Sequence, residues 1–197
     1  MKLVKDIELV STFSKSQRGV FSRSDLETLL ADPHPSALGR RLKTLISHGT
    51  LIRALRGWYV TADFDPKTLS RRLAPDSYLS METVLGERGV IGPRPELKIS
   101  AVKVGPSRQY RVGTRLIEHL GIQESLFFGW SEREGVREAS KEKALLDALY
   151  FYLHGRALSF DPFADVFLAG LDVPLAESML ERYENPKFVQ FVRGVLQ

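Results

Sequence analysis

Residues 36–60 read Ser-Ala-Leu-Gly-Arg-Arg-Leu-Lys-Thr-Leu-Ile-Ser-His-Gly-Thr-Leu-Ile-Arg-Ala-Leu-Arg-Gly-Trp-Tyr-Val, and this stretch decides the architecture of the first third of the chain. Leu38, Leu42, Leu45 and Ile46 stand at i, i+4, i+7 and i+8, which places them on one buried stripe of a helix. Ser36 is its expected N-cap and Gly49 its C′ residue. The opposite face then carries Ala37, Arg40, Arg41 and Thr44, with Lys43 at its flank. Beyond Gly49, Thr50–Arg53 and Trp58–Val60 are β-branched and aromatic runs around Leu55-Arg56-Gly57, which reads as a hairpin.

Upstream, Leu3, Ile7, Val10 and Phe13 recur at helical spacing until Gly19. Ser22 followed by Asp25 predicts a capping box, and Leu26, Leu29 and Leu30 supply the apolar face of a second helix. Asp32-Pro33-His34-Pro35 stops that helix, because proline removes a donor and disfavours helix in the residue before it. Three helices and a basic hairpin in this order predict a winged helix-turn-helix. Its physics suits DNA: a helix fits the major groove, and a hairpin can lie along phosphates. From Pro33 to Ala62 there are five basic residues, Arg40, Arg41, Lys43, Arg53 and Arg56, and no acidic one. The candidate DNA-contacting set is therefore Ser36, Ala37, Arg40, Arg41, Lys43 and Thr44 for the groove, with Arg53 and Arg56 for phosphates.

That local bias says more than the whole. The 197 residues carry a formal charge of +4, and the charge is uneven: 13 basic against 7 acidic residues through Pro75, then 15 against 17. Asp65 before Pro66 predicts a helix start and a short helix through Leu73, whose Lys67, Arg71 and Arg72 can extend a phosphate footprint. The boundary is placed there, giving a DNA-binding domain over 1–65 and an effector domain over 66–197.

In the second part, Ser80 is the expected cap of a helix over Met81–Arg88, and Gly92-Pro93-Arg94-Pro95 a turn. Leu97, Ile99 and Ala101 alternate with polar residues, but the phase changes at Val102 and Val104, which predicts a bulge or strand end. Further strands are expected over 109–112, 114–120, 126–130 and 135–139, then a helix capped by Ser140 over 141–153, and two more after Asp172-Val173-Pro174 and Asn185-Pro186. The fold class is α+β: a winged helix, then a larger domain with a small, largely antiparallel sheet covered by helices.

Composition and motifs narrow the function. The chain has no cysteine, which excludes a disulfide scaffold, a thiol nucleophile and a Cys-based zinc site. Its 43% hydrophobic and 26% charged residues fit a folded, soluble chain. No apolar run approaches a membrane span, and the first residues, Met-Lys-Leu-Val-Lys-Asp-Ile-Glu, lack a signal-peptide core, so a cytoplasmic protein is expected. Asp63-Phe64-Asp65 has the spacing of a metal-binding carboxylate pair, yet no Gly-Ser dipeptide occurs, and Asp65 beside Pro66 reads as a cap. The histidines, His34, His48, His119 and His154, are scattered, and no phosphate loop or nucleophile elbow is present. No enzyme, metal or cofactor is expected.

Three stretches carry a family resemblance: Leu51-Ile52-Arg53-Ala54-Leu55-Arg56-Gly57-Trp58-Tyr59, Tyr78-Leu79-Ser80-Met81-Glu82-Thr83-Val84-Leu85 running on to Glu87-Arg88-Gly89, and Ala139-Ser140-Lys141-Glu142-Lys143-Ala144-Leu145-Leu146-Asp147-Ala148. In order and spacing the chain resembles the AbiEi antitoxins of bacterial abortive-infection, type IV toxin–antitoxin systems, from about Phe21 to about Tyr152. It departs from the family's pattern at Leu79 and Val84, both conservative changes. The resemblance implies a winged helix that represses its own promoter at repeated operator sites on double-stranded DNA. It also implies a second domain that counters a nucleotidyltransferase-like toxin, without requiring a stable complex. Lys98, Lys103, Arg108, Arg111 and Arg115 could form the antitoxin surface, or the solvated face of a sheet. The alternative is a winged-helix regulator, unconnected to a toxin, whose second domain binds a small ligand in a buried polar pocket. Within the motifs, Ser80 reads as an N-cap, Glu142 as a complement to the helix dipole, and Asp147 as capping, pairing or solvent-facing.

Overall fold

A computed structural model describes residues 2–31, 35–93, 97–133 and 135–197. The Asp32-Pro33-His34 part of the expected helix stop and the Arg94-Pro95 part of the expected turn lie outside those residues, as does the side chain of Ser36. The fold is α+β, with eight α-helices and nine strands among the described residues. Two compact units divide the chain: Met1–Leu69 with Arg111–Gly113, and Ser70–Tyr110 with Thr114–Gln197.

The first unit contains helix α1 (Lys2–Gln17), strand β1 (Val20–Ser22), α2 (Arg23–Leu30), α3 (Pro35–Ser47), β2 (Ile52–Leu55) and β3 (Trp58–Val60). The capping box at the start of α2 forms: the Asp25 amide donates to Ser22 Oγ at 3.0 Å, and the Ser22 amide donates to Asp25 Oδ2 at 2.7 Å. Strand β1, too short to show a period, joins the hairpin to make an antiparallel sheet of order β1-β3-β2, with Phe21 opposite Tyr59. Leu38, Leu42 and Leu45 of α3 are buried against Val10, Phe21 and Leu26, as the stripe requires. Phe13, the last residue of the α1 apolar series, stands 45% exposed instead.

Helix α4 (Pro66–Leu73) starts as its sequence dictates: Asp65 accepts from the Lys67 amide at 3.0 Å and from Thr68 Oγ1 at 2.7 Å. The chain then builds β4 (Tyr78–Leu79), α5 (Glu82–Glu87), β5 (Lys98–Val104), β6 (Arg108–Val112), β7 (Arg115–Ile122), β8 (Trp130–Arg133), β9 (Val136–Ala139), α6 (Lys141–Leu153), α7 (Val173–Leu180) and α8 (Pro186–Val195). Its six-stranded sheet has the order β6-β7-β5-β4-β9-β8. It is mixed rather than largely antiparallel: β5 runs parallel to β7 and β4 parallel to β9, while β4–β5 and β8–β9 are antiparallel.

The phase change within β5 marks no bulge, and the strand ends where it falls, at Val104. Residues 98–104 pair without interruption to 116–122, and Ile99, Ser100, Ala101 and Val102 are all buried. A central strand covered on both faces has no polar face to alternate with. The strand expected over 126–130 begins only at Trp130, after a single 3₁₀ turn at Glu124–Leu126. Phe127 sits 5.0 Å from the Tyr78 ring and 5.8 Å from Trp130, so tertiary aromatic packing overrides the β propensity of the run. Helices α6, α7 and α8 start at the expected caps, Ser140, Asp172 and Asn185. No helix among the described residues is long and apolar enough to cross a membrane.

Candidate nucleic-acid interface

The outer face of α3 is basic and bare. Arg40, Lys43, Thr44 and Ser47 are exposed, at the i, i+3, i+4, i+7 positions opposite the buried leucines. Thr44 Oγ1 donates to the Arg40 carbonyl at 3.1 Å and Ser47 Oγ to the Thr44 carbonyl at 2.9 Å, so both hydroxyls lie along the helix surface. Ala37 is half-buried at the start of the same face. On the hairpin, Arg53 is exposed on β2 opposite Tyr59, and Arg56 is exposed in the turn before Gly57. Among the described residues, none of Arg40, Lys43, Arg53 and Arg56 is held in an ion pair. Exposed cationic groups without an internal carboxylate are the kind that phosphate oxygens recruit.

Arg41 departs from the expectation. It lies three residues after Leu38 and four before Leu45, which puts it on the inner stripe rather than beside Arg40. Its Nε donates to Asp6 Oδ2 at 2.8 Å, its Nη2 bonds Asp6 Oδ1, and its Nη1 reaches the Leu30 carbonyl at 2.9 Å. The Asp6 side chain is only 4% exposed. Arg41 thus ties α3 to α1 and α2, and it is not available to a groove. Asp6 on α1 was the missing signal: a lone acid on an otherwise apolar face demands a buried partner.

In the second unit, two of the motif stretches meet in one buried network. Tyr78 Oη donates to Asp147 Oδ2 at 3.0 Å, and Ser80 Oγ donates to the same oxygen at 2.7 Å. Lys143 Nζ bonds Asp147 Oδ1 and donates to Tyr183 Oη at 3.1 Å. It also lies 4.6 Å from the Phe128 ring centroid, and both Lys143 and Asp147 are fully buried. Gly129 makes room for this lysine: a Cβ there would lie 2.9 Å from Lys143 Cγ. Burial, followed by the charge of Asp147, holds the Tyr78 hydroxyl far above its ordinary range, so it stays a donor. Burial and the same aspartate do likewise for Tyr183.

Ser80 therefore does not cap α5. The cap position is Met81, fully buried at φ 55°, with no side-chain cap bond. That left-handed backbone is held between Ser80, bound to Asp147, and Glu82, which faces a second buried cluster. Glu142 is likewise not a mere dipole complement; its Oε1 accepts from the Asp172 amide at 3.0 Å and fastens the start of α7.

Of the five cations proposed as an antitoxin surface, Lys98 and Lys103 lie on opposite faces of β5. Lys98 is drawn into the second cluster, 3.2 Å from Glu118 and 3.8 Å from Glu82. Arg108 and Arg111 are exposed and Arg115 is half-buried. Glu118 takes a bond from Arg156 Nη2 and another from Gln109 Nε2 at 2.8 Å. Burial alone would raise its pKa, but Arg156 and Lys98 together hold the carboxyl below its usual range. On the other face, His119 Nε2 bonds Ser70 Oγ at 2.9 Å. Burial first, and Lys103 second, push this imidazole down to about 4.

No protein-family model matches the chain. No curated protein matches it either. Among solved structures it is similar to the crystal structure of RV2827C protein from Mycobacterium tuberculosis, at 16% identity and a TM-score of 0.63, over 95% of this chain and 74% of that one. At that identity the likeness shows a shared fold.

Proposed function

We propose that the chain is a cytoplasmic, sequence-specific DNA-binding autorepressor whose first unit acts as a winged helix, and that it is the antitoxin of an AbiE-like type IV system. The observation that carries the DNA reading is the exposed, unpaired set of Arg40 and Lys43 on α3 with Arg53 and Arg56 on the hairpin. The element order supports it: a helix, a strand, two helices and a hairpin, with the strands in the order β1-β3-β2, is the order a winged helix uses. In this reading α3 enters the major groove, Arg40 and Thr44 reach base edges, Lys43 holds a phosphate at the groove edge, and Arg53 and Arg56 hold phosphates beside it. Partners are double-stranded DNA at the chain's own promoter and, functionally, a nucleotidyltransferase-like toxin.

The antitoxin half is supported by the resemblance and by the convergence of its motif residues Tyr78, Ser80, Lys143 and Asp147 on one network. Two experiments separate the halves. A reporter driven by the upstream region should be repressed by the wild-type chain and released by Arg40→Ala. Co-expression with a nucleotidyltransferase-like toxin of this class should restore growth in cells that the toxin alone arrests, and failure to do so would remove the antitoxin assignment while leaving the repressor one intact.

A further inference from the structure

We infer that a cavity of about 370 Å³ in the second unit is a phosphate-group site. It is lined by Arg71, Arg72, Ser77, Glu132, Gly135 and Arg137, all in that unit. Two of its guanidinium groups are fixed before any ligand arrives. Arg71 Nη1 donates to the Gly135 carbonyl at 2.8 Å. Gly135 sits at φ 71°, and a Cβ there would lie 2.7 Å from that same Nη1, so the approach depends on glycine. Arg137 lies with its guanidinium carbon 4.8 Å from the Trp130 ring centroid, and its Nε donates to Glu132 Oε2 at 3.1 Å. Trp130 is itself stacked on Tyr78 at 6.3 Å, which anchors the platform to the buried network.

Arg71 and Arg137 are thus each held by one edge or face, and their remaining N–H groups are left to an acceptor in the cavity. Among the described residues, Glu132 is the one carboxylate lining the cavity. Guanidinium donors held at fixed positions suit the bidentate geometry of phosphate oxygens, and the lost side-chain entropy is already spent. The acceptor is a phosphate group, carried either by a free polyphosphate or nucleotide or by a nucleic-acid backbone. The inference rests on none of the α3 residues.

Calorimetric titration of the full chain with inorganic tripolyphosphate at low ionic strength tests it, with far-UV circular dichroism confirming the fold of each variant. Saturable binding is expected in the wild type, weakened about tenfold or more by Arg137→Gln and by Arg71→Gln. Gly135→Ala should weaken it too, by displacing Arg71. If Arg71→Gln does not fold, Arg137→Gln, at a partly exposed position, still decides. Competition by a duplex oligonucleotide supports the site with a nucleic-acid source; binding without competition supports it with a free polyphosphate. The Arg40→Ala variant should bind tripolyphosphate normally, so loss of DNA binding and loss of this site are told apart. No binding by the wild type, or equal binding by the variants, overturns the inference.

Discussion

Arg41 and Asp6, thirty-five residues apart, form a buried ion pair in the first unit, with Arg41 Nε donating to Asp6 Oδ2 at 2.8 Å and Nη1 satisfying the Leu30 carbonyl. Its immediate neighbour Arg40 is exposed. The two arginines therefore divide between stability and recognition.

Arg41→Ala should destabilise the chain by about 3 kcal/mol, because it strands a carboxylate that water does not reach. Arg40→Ala should change stability by less than about 0.5 kcal/mol. Urea denaturation of the two variants checks this. Equal effects would place Arg41 on the surface after all.

The Lys143–Asp147 pair is fully buried, and its oxygens also serve Tyr78 and Ser80. Lys143→Met alone should cost about 3–5 kcal/mol, as should Asp147→Leu, since each leaves an uncompensated charge. The double variant should cost clearly less than the two added together. A denaturation double-mutant cycle measures that difference, and simple additivity would mean the two groups are not coupled.

His119 sets a pH dependence. Its folded pKa lies at about 4 against an ordinary 6.5, so the unfolded chain binds the extra proton first as pH falls. Stability from this group is complete above 6.5 and is lost as pH drops from there to about 4, by up to about 3 kcal/mol. The groups facing it include Lys103, which opposes protonation, and Ser70 and Asp76, which favour it. Thermal unfolding at stepped pH should show His119→Gln with a flatter profile across that window. An identical slope in both proteins would show that His119 takes up its proton equally in the folded and unfolded chain.

Arg53→Ala and Arg56→Ala should weaken binding to every duplex alike. Each should lower the slope of log K against log salt by about one ion. A salt series of anisotropy titrations reads this directly, and a loss confined to one duplex sequence would move these residues from phosphates to bases.

What the sequence made legible was local. Asp65 before Pro66, Ser140, Asp172 and Asn185 each mark a helix start by chemistry reaching three residues or fewer, and each helix begins there. The buried stripe of α3 is legible for the same reason. What escaped depends on partners far along the chain. Ser80 has the composition of a cap but finds Asp147 sixty-seven residues on, and nothing within a turn of it says so. β4 is two residues long, too short for any period, and the alternation that marks β5 as a strand does not show that both of its faces are buried. In the candidate interface, Arg40, Lys43, Arg53 and Arg56 could be read directly from an acid-free run, whereas Arg41 needed the position of Asp6. The arginine-lined cavity could not be read at all, because it joins α4 to a turn sixty-four residues away through Arg71 and Gly135.

The central claim is tested most directly by fluorescence anisotropy of a labelled duplex from the chain's own upstream region, beside a scrambled duplex of equal length, at one fixed salt concentration. The wild type should prefer the upstream duplex, and Arg40→Ala should lose about 1–3 kcal/mol on it and far less on the scrambled one, narrowing the preference. Equal affinity of the wild type for both duplexes, or unchanged binding by Arg40→Ala, would contradict recognition by α3.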